Sequence, residues 1–424
     1  MSGDETDNFD VIVAGAGPAG GQCARDLAAR DYDVLLLETE PEDEFPRQSN
    51  KSTAGTFPRM TGAFGVPDRL VEQFTDSVIV ESPNDHYEQE QPGAVLDFVG
   101  FKQWLVEEAR ENGAEVRFDA RVNTPITEDG RVVGVTYAGS EEVHADIVVD
   151  ATGPSASLAK TLDVVNLHRA NQAIGIDYKL EGLNLDHEEY ADLTGSMMLR
   201  LDHDIAPGGY SWIFHTGGDT AKVGVCYIQN ERHDEVARDD MRIDDYLDYW
   251  RETDPRFEGA QAMEGEHILR GSAHIQMPGS FSSDGFRAVG DTVPTVDPLW
   301  GEGIHQGMKS GRGAAVTADH CLTGTDRNVS ADEMSIYDGL WHEQVAPKMS
   351  KRLLMTELLY LVDNDRYDRF VRTMRELPND TLSSANTGSL RAIAKLLEPG
   401  DLSYLAQLAR NRLSDPYGRW NPLS

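Results

Sequence analysis

The chain has no apolar run approaching the roughly 18 residues of a membrane-spanning helix, and no basic stretch leading into an apolar one at its N-terminus. Neither a membrane span nor a secretory signal is therefore expected. Cysteine is scarce: Cys23, Cys226 and Cys321 stand in no paired metal or redox spacing, which argues against a disulfide framework and for a reducing compartment. The 12 histidines are dispersed, so no metal site is expected, and there is no repeat or low-complexity tract. Positive charge is scarce as well, with 38 Lys plus Arg against 73 Asp plus Glu and a formal net charge of −35. That field repels nucleic acid, and no basic stripe reverses it. It also repels anionic membrane surfaces unless salt screens it. Acidic residues spread over every segment, with few lysines, point to adaptation to a very salty cytosol. The expected location is cytoplasmic, with membrane contact only transient and peripheral.

What the sequence does have is two glycine-rich signatures, nearly a chain length apart. The first is Gly15-Ala16-Gly17-Pro18-Ala19-Gly20. It follows an apolar strand, Asp10 to Ala14, and precedes a helix over Gln22 to Arg30. Gly15 permits the tight turn, Gly17 lets backbone approach a pyrophosphate, and Gly20 lets helix pack on sheet. The phosphate would sit on the free N–H groups and positive dipole end of the helix. Pro18 costs little there, because its missing N–H would be unpaired anyway. A second strand, Asp33 to Leu37, ends in Glu38, at the distance where a carboxylate takes ribose hydroxyls. The second signature is Gly290-Asp291, followed by Pro298-Leu299-Trp300-Gly301-Glu302-Gly303. The first alone indicates a dinucleotide; the pair, in this order and separation, indicates one FAD held from both ends of the sequence. With a single Gly-x-Gly-x-x-Gly there is no separate nicotinamide domain, and the electron donor, a ferredoxin or a nicotinamide nucleotide, stays open.

At 424 residues two or three lobes are expected. Met1 to Asn8 reads as a disordered acidic leader. Phe98 to Asn112 is an amphipathic helix, Glu115 to Phe118 a strand, and Arg131 to Tyr137 with Glu142 to His144 a small hairpin. Asp146 to Gly153 is again an apolar strand ending in a glycine turn. From Ala173 to Gln229 the apolar period changes to two, which indicates an antiparallel sheet. Alternation puts Tyr210, Trp212 and Phe214 on one face as an aromatic wall, either of a hydrophobic tunnel beside the flavin or of an ordinary core. After Ala331 the chain reads as helical. A capping box is expected at Ser330 to Glu333, with helices over Lys351 to Leu361, Arg366 to Leu377 and, beyond Pro378 and Gly388, Leu390 to Leu397. The expected fold is α/β. A Rossmann-like FAD-binding domain in two parts (9–165 and 271–325) encloses an antiparallel-sheet substrate domain (166–270), and a helical C-terminal region follows (326–424).

The segments Gly285 to Asp291, Val296 to Ile304 and Met308 to Arg312, together with Tyr210-Ser211-Trp212-Ile213-Phe214 and, more weakly, Leu402 to Leu405, resemble the geranylgeranyl reductase family. Its members are flavoproteins of the p-hydroxybenzoate hydroxylase fold. The resemblance spans Asp10 to about Leu413. It implies that Asp291 holds a ribityl or ribose hydroxyl, that Gly303 and Ile304 present backbone N–H groups to the flavin, and that Val122 contacts adenine. It also implies a helix from near Gly303 whose dipole stabilises anionic reduced flavin. Where many members carry a Cys-Gly-Glu-Gly turn, this chain has Arg47-Gln48-Ser49-Asn50-Lys51-Ser52, with Ser49 at the cysteine position and Arg47 and Ser49 beside the cofactor. The proline after the aromatic motif is replaced by His215, and an arginine ahead of the Phe101 helix by Phe98.

The implied activity is reduction of isoprenoid C=C bonds of geranylgeranyl chains, as in archaeal-type ether lipids, with a prenylated lipid as substrate. Such chemistry delivers hydride from the flavin to one alkene carbon and a proton to the other, with water excluded. Tyr210, Trp212 and His305 are the candidate catalytic residues, and His215 is a further candidate proton source. Two other readings share the signatures: a flavin-dependent monooxygenase of an aromatic or lipid substrate, and a non-enzymatic prenyl-binding escort protein.

Overall fold

The computed structural model describes residues 7–386 and 389–421. Its strands are β1 (Asn8–Ala14), β2 (Val34–Leu37), β3 (Gly55–Thr56), β4 (Val71–Glu81), β5 (His86–Leu96), β6 (Glu115–Arg117), β7 (Val122–Glu128), β8 (Arg131–Tyr137) and β9 (Glu141–Asp150). Then come β10 (Gln172–Glu181), β11 (Ser196–Arg200), β12 (Gly209–Gly217), β13 (Thr220–Ile228), β14 (Gln261–Ala262), β15 (Leu269–His274), β16 (Ser282–Ser283) and β17 (Phe286–Ala288). The helices that bear on the site are α1 (Pro18–Ala28), α2 (Phe98–Glu111), α3 (Ile243–Thr253), α4 (Ile304–Leu322), α5 (Met349–Leu361), α6 (Asn364–Glu376) and α7 (Leu402–Ser414).

Two sheets organise these elements. The first runs β16-β17-β9-β1-β2-β6, with the β7–β8 hairpin attached to β9. β1 pairs in parallel with β2 and β9, which leaves it no free edge, and its residues Val11 to Ala14 are fully buried, as in a sheet layered on both faces. α1 starts at Pro18 rather than Gln22, directly after Gly17, and packs against α4; Gly311 of α4 lies so close to Ala19 and Cys23 that a Cβ there would clash. The expected strands at Glu142 to His144 and Asp146 onward are one strand, β9. Its outer half is antiparallel to β8 and its inner half parallel to β1.

The second sheet runs β14-β10-β13-β12-β11-β4-β5-β3, with β15 on β10. The antiparallel core expected from the period-two segment is present as β10 to β13. The sheet also takes β3, β4 and β5, drawn from inside the stretch assigned to the nucleotide domain. The far end of that hairpin is polar (Glu88 to Gln91) and shows no apolar alternation, so its membership is decided by the pairing of Ser77 to Glu81 with β11. One face of this sheet packs under α3 through Ile213, Val223, Val225 and Trp250. The other faces the first sheet.

In the C-terminal region Ser330 makes no capping bond with its side chain. The Asp284 carboxylate takes the Ala331 N–H at 2.7 Å instead, and Glu333 faces His320. The expected helix over Leu390 to Leu397 is a single turn, Leu390–Ile393. Gly388 and residues 1–6 of the expected leader lie outside the described residues, while Asn8 already belongs to β1.

Candidate active site

A cleft of about 1150 Å³ lies between the two sheets. It is lined by Gly15, Gly17, Ala19, Glu38 and Val122 and, brought against them because Gly290 packs on Ala19, by Asp291, Gly303 and Ile304. The glycines do different work there. Gly15 has φ +107°, and a Cβ would meet the Ala151 carbonyl oxygen at 2.5 Å, so both conformation and space require glycine. Gly20 is not in the lining; its backbone presses on Gly15, which sets α1 close to the sheet. Gly17 has an ordinary φ of −72° and nothing within 4 Å of its Cβ position, which opens into the cleft. Space beside a helix N-terminus is what a pyrophosphate needs.

Glu38 is buried, and its carboxylate takes the Ala16 N–H at 2.9 Å as well as those of Thr39 and Glu40. It ties the glycine turn to the end of β2 while still lining the cleft. Asp150 plays the matching part for the turn after β9, accepting from Thr152, Leu158 and Ala159. Gly153 in turn donates to Thr292, next to Asp291.

Asp291 faces the cleft, and burial alone pushes its carboxyl up to about 7. α4 begins at Ile304 with Gly303 as N-cap, a residue that itself offers no capping side chain. A Cβ on Gly303 would lie 3.2 Å from Val296, so the backbone there is closely backed. Glu302 is buried, with its carboxyl raised to about 7 by desolvation; it accepts the His305 N–H at 2.7 Å and meets Thr56 Oγ1 at 3.4 Å. The end of β3 and the loop before α4 thus touch across the cleft. A helix N-terminus, an acceptor carboxyl and an open pyrophosphate cradle lining one cleft fit an FAD.

The aromatic face is where alternation placed it: Tyr210, Trp212 and Phe214 all line the cleft. Trp212 packs over Gly224, where a Cβ would clash with its ring, and near Gly175, and Gly55 makes room for Phe214. Tyr210 tilts against Trp212 at 5.7 Å, and its hydroxyl fills the space beside Gly301. On the other side of Tyr210 and Tyr360, which line both, lies a second cavity of about 240 Å³, lined by Leu358, Leu359, Phe370, Met374 and Leu396 of the C-terminal region.

Proton-carrying groups are distributed unevenly. Tyr210 is half-buried, and its desolvation holds its phenol well above its ordinary value and makes it a weaker acid. His305 is outside the cleft lining; it packs edge-on against Phe64, and burial lowers it to about 4, a neutral imidazole at pH 7. His215 points to the opposite side of β12 from the aromatic wall, held between the Gly195 N–H at 2.8 Å and the Gly218 carbonyl at 3.1 Å. Arg47 is exposed and outside the lining, whereas Ser49 lines the cleft. Ser49 is anchored by Glu40, which accepts its N–H at 2.7 Å, and by Lys102 of α2, whose ammonium donates to its hydroxyl. Desolvation lowers Lys102 to about 8 against the pull of Glu38 and Glu40. On the far side, Thr53 lines the cleft and donates to the buried Asp177 at 2.6 Å. Lys102, Thr53 and Asp177 carry no signal in the sequence, since each owes its place to contacts between distant segments.

Residues 10–164 match the family model described as FAD dependent oxidoreductase. The chain is 62% identical to a digeranylgeranylglycerophospholipid reductase of Haloferax volcanii, over 97% of this chain and all of that one. It is 27% identical to digeranylgeranylglycerophospholipid reductase 1 of Methanopyrus kandleri, over 87% of this chain and 95% of that one. Among solved structures, a geranylgeranyl bacteriochlorophyll reductase-like protein of Thermoplasma acidophilum superposes with a TM-score of 0.80 at 22% identity, covering 95% of this chain and 99% of that one. The halogenase PltM in complex with phloroglucinol and FAD gives 0.65 at 14% identity, covering 96% and 92%.

Proposed function

Since the chain belongs to the digeranylgeranylglycerophospholipid reductase family, we infer that it is an FAD-dependent enzyme reducing the geranylgeranyl C=C bonds of archaeal-type ether lipids. The observation that carries this reading is the adjacency of two cavities: a cleft that holds a dinucleotide cradle and an aromatic wall shares Tyr210, Trp300 and Tyr360 with an apolar cavity among the C-terminal helices. Bound FAD supplies the hydride. The chain's own residues do the rest. Gly17 and the α1 N-terminus take the pyrophosphate, Glu38 and Asp291 take hydroxyls, and the α4 N-terminus lends positive potential to the flavin edge. Tyr210, Trp212 and Phe214 hold an isolated alkene in place and keep water away, which matters because such an alkene reacts slowly unless it is oriented.

The reading extends to a peripheral membrane contact made by the C-terminal helices. Residues 341–424 carry 12 Lys plus Arg against 10 Asp plus Glu, in a chain whose total is 38 against 73. This region, which lines the apolar cavity, is the part least repelled by an anionic lipid surface. Among the described residues no helix is long and apolar enough to cross a membrane. The reductant, a ferredoxin or a nicotinamide nucleotide, comes from outside the chain, which has one dinucleotide signature. The test is mass spectrometry of lipids from cells lacking the protein. They should keep double bonds that the parent strain saturates; an unchanged lipid profile would refute the reading, and reductant consumption coupled to oxygen would favour a monooxygenase.

A further inference from the structure

We propose that Thr53 is the residue that gives the alkene its proton, and that Asp177, immediately behind it, is the reservoir that refills Thr53. This rests on the alkene-reduction reading above. Thr53 lines the cleft on the loop leading into β3, and its hydroxyl lies 2.6 Å from Asp177 Oδ2. Asp177 lies on β10 with only 4% of its surface exposed, on the strand face that Gly175 and Trp212 share with the cleft.

The surroundings make Asp177 a carboxyl that can hold a proton. Lys222 of β13 is the cation that acts on it, but that ammonium donates to the Leu96 carbonyl at 2.8 Å and pairs with Glu72 of β4 at 3.1 Å. Glu72 is shared with Lys179 at 2.9 Å, and Glu266 adds a further negative charge. Asp177 therefore lacks a cation of its own. Desolvation lifts it to about 6, with Thr53, Lys222 and the Trp212 indole pulling the other way. When Asp177 is ionised, the Thr53 hydroxyl donates to it. When Asp177 is protonated, the bond reverses, and the Thr53 hydrogen is free to turn into the cleft. None of the proton sources expected from the sequence has this property: His305 is outside the lining, His215 faces away, and Tyr210 is a weakened acid; the Thr56–Glu302 contact, at 3.4 Å, is much longer than the Thr53–Asp177 bond.

The step balances. One alkene carbon gains the hydride that the reduction supplies, and the other gains the proton from Thr53 Oγ. Thr53 Oγ takes the Asp177 proton in the same movement, so no alkoxide is left, and the Asp177 carboxylate is reprotonated from water.

Two measurements test this on the full-length, FAD-loaded protein, with flavin content and melting temperature checked for every variant. The first is the pH profile of lipid reduction. Because the protonated carboxyl is the competent form, the wild-type rate should fall as pH rises through about 6. Asp177→Asn and Thr53→Val should each lower kcat by about 10²–10⁴-fold with KM unchanged and flatten that limb. Their combination should be no worse than either alone, and Thr53→Ser should restore rate and profile. The second is the wild-type minus Asp177→Asn infrared titration. It should show one protonated-carboxyl band lost near pH 6, and Thr53→Val should shift that band. An Asp177→Asn enzyme with undiminished rate and an intact profile, or the absence of the band, overturns the proposal. Should Asp177→Asn not fold, the Thr53→Val and Thr53→Ser pair decides it. If the wild type itself leaves the lipid unreduced, the functional reading falls, while the infrared band still decides whether Asp177 holds a proton.

Discussion

Replacing Gly17 with valine should remove the flavin and leave the fold. The backbone at Gly17 has φ −72°, open to any residue, and a Cβ there meets nothing within 4 Å. The folded apoprotein loses only the N-cap preference of glycine over valine on α1, about 1 kcal/mol or roughly 2–4 °C of melting temperature. The new side chain stands in the open space beside the helix N-terminus, where the pyrophosphate belongs. Losing two charge-assisted bonds of about 1.5–3 kcal/mol each weakens binding by roughly 10²–10⁴-fold. Gly20→Val gives the contrast, because a Cβ there runs into the Gly15 backbone and should cost the fold itself. The assay is flavin absorbance after gel filtration, paired with melting temperatures of flavin-stripped wild type and both variants. A Gly17→Val protein that keeps full flavin absorbance, or whose apo form melts as low as Gly20→Val, would show that the cradle is not where this geometry puts it.

Three further outcomes follow. Trp212→Ala should retain FAD but slow turnover of long prenyl chains by one to two orders of magnitude, from about 1.5–3 kcal/mol of lost aromatic contact. A stable, flavin-loaded variant with undiminished lipid reduction would mean the wall lies elsewhere. Stability should require concentrated salt, since the charge of −35 is relieved only as the Debye length falls towards about 3 Å at 1 M; equal melting temperatures in dilute buffer and concentrated KCl would contradict this. The flavin-free protein should lose stability as pH rises from about 4 to about 7, because burial raises the folded-state carboxyls of Asp291 and Glu302 and the folded form binds protons there that the unfolded chain releases. Asp291→Asn should shrink that loss, and an identical pH dependence in the variant would rule Asp291 out as its source.

What could be read from the sequence was what rests on local pattern. The glycine turn, the carboxylate after β2 and the shared face of Tyr210, Trp212 and Phe214 each depend on spacing within a few residues. What could not be read depends on pairing at a distance. The β4–β5 hairpin joins the second sheet through β11, more than a hundred residues later, and its polar tip hides it from periodicity. Lys102 reads as a solvent-facing helix residue until Ser49 is found against it. Asp177 is one more carboxylate among 73 until Thr53 closes on it. Histidine positions misled for a related reason: His215 and His305 have the right chemistry, but a strand's parity and a helix's rotation turn them away from the cleft.

The interleaving of the two sheets along the chain bears on synthesis. β17 joins the first sheet at Phe286–Ala288, after all the strands of the second have been made, and the cleft gains its far wall only when α4 begins at Ile304. A nascent chain on the ribosome therefore displays an unfinished nucleotide sheet throughout most of its elongation, with the edge of β9 unpaired. FAD cannot act as an early folding template for such a chain. It can only close a structure that is already nearly complete, so a ribosome stalled before Ile304 should carry a polypeptide that takes up no flavin at any concentration the cell supplies.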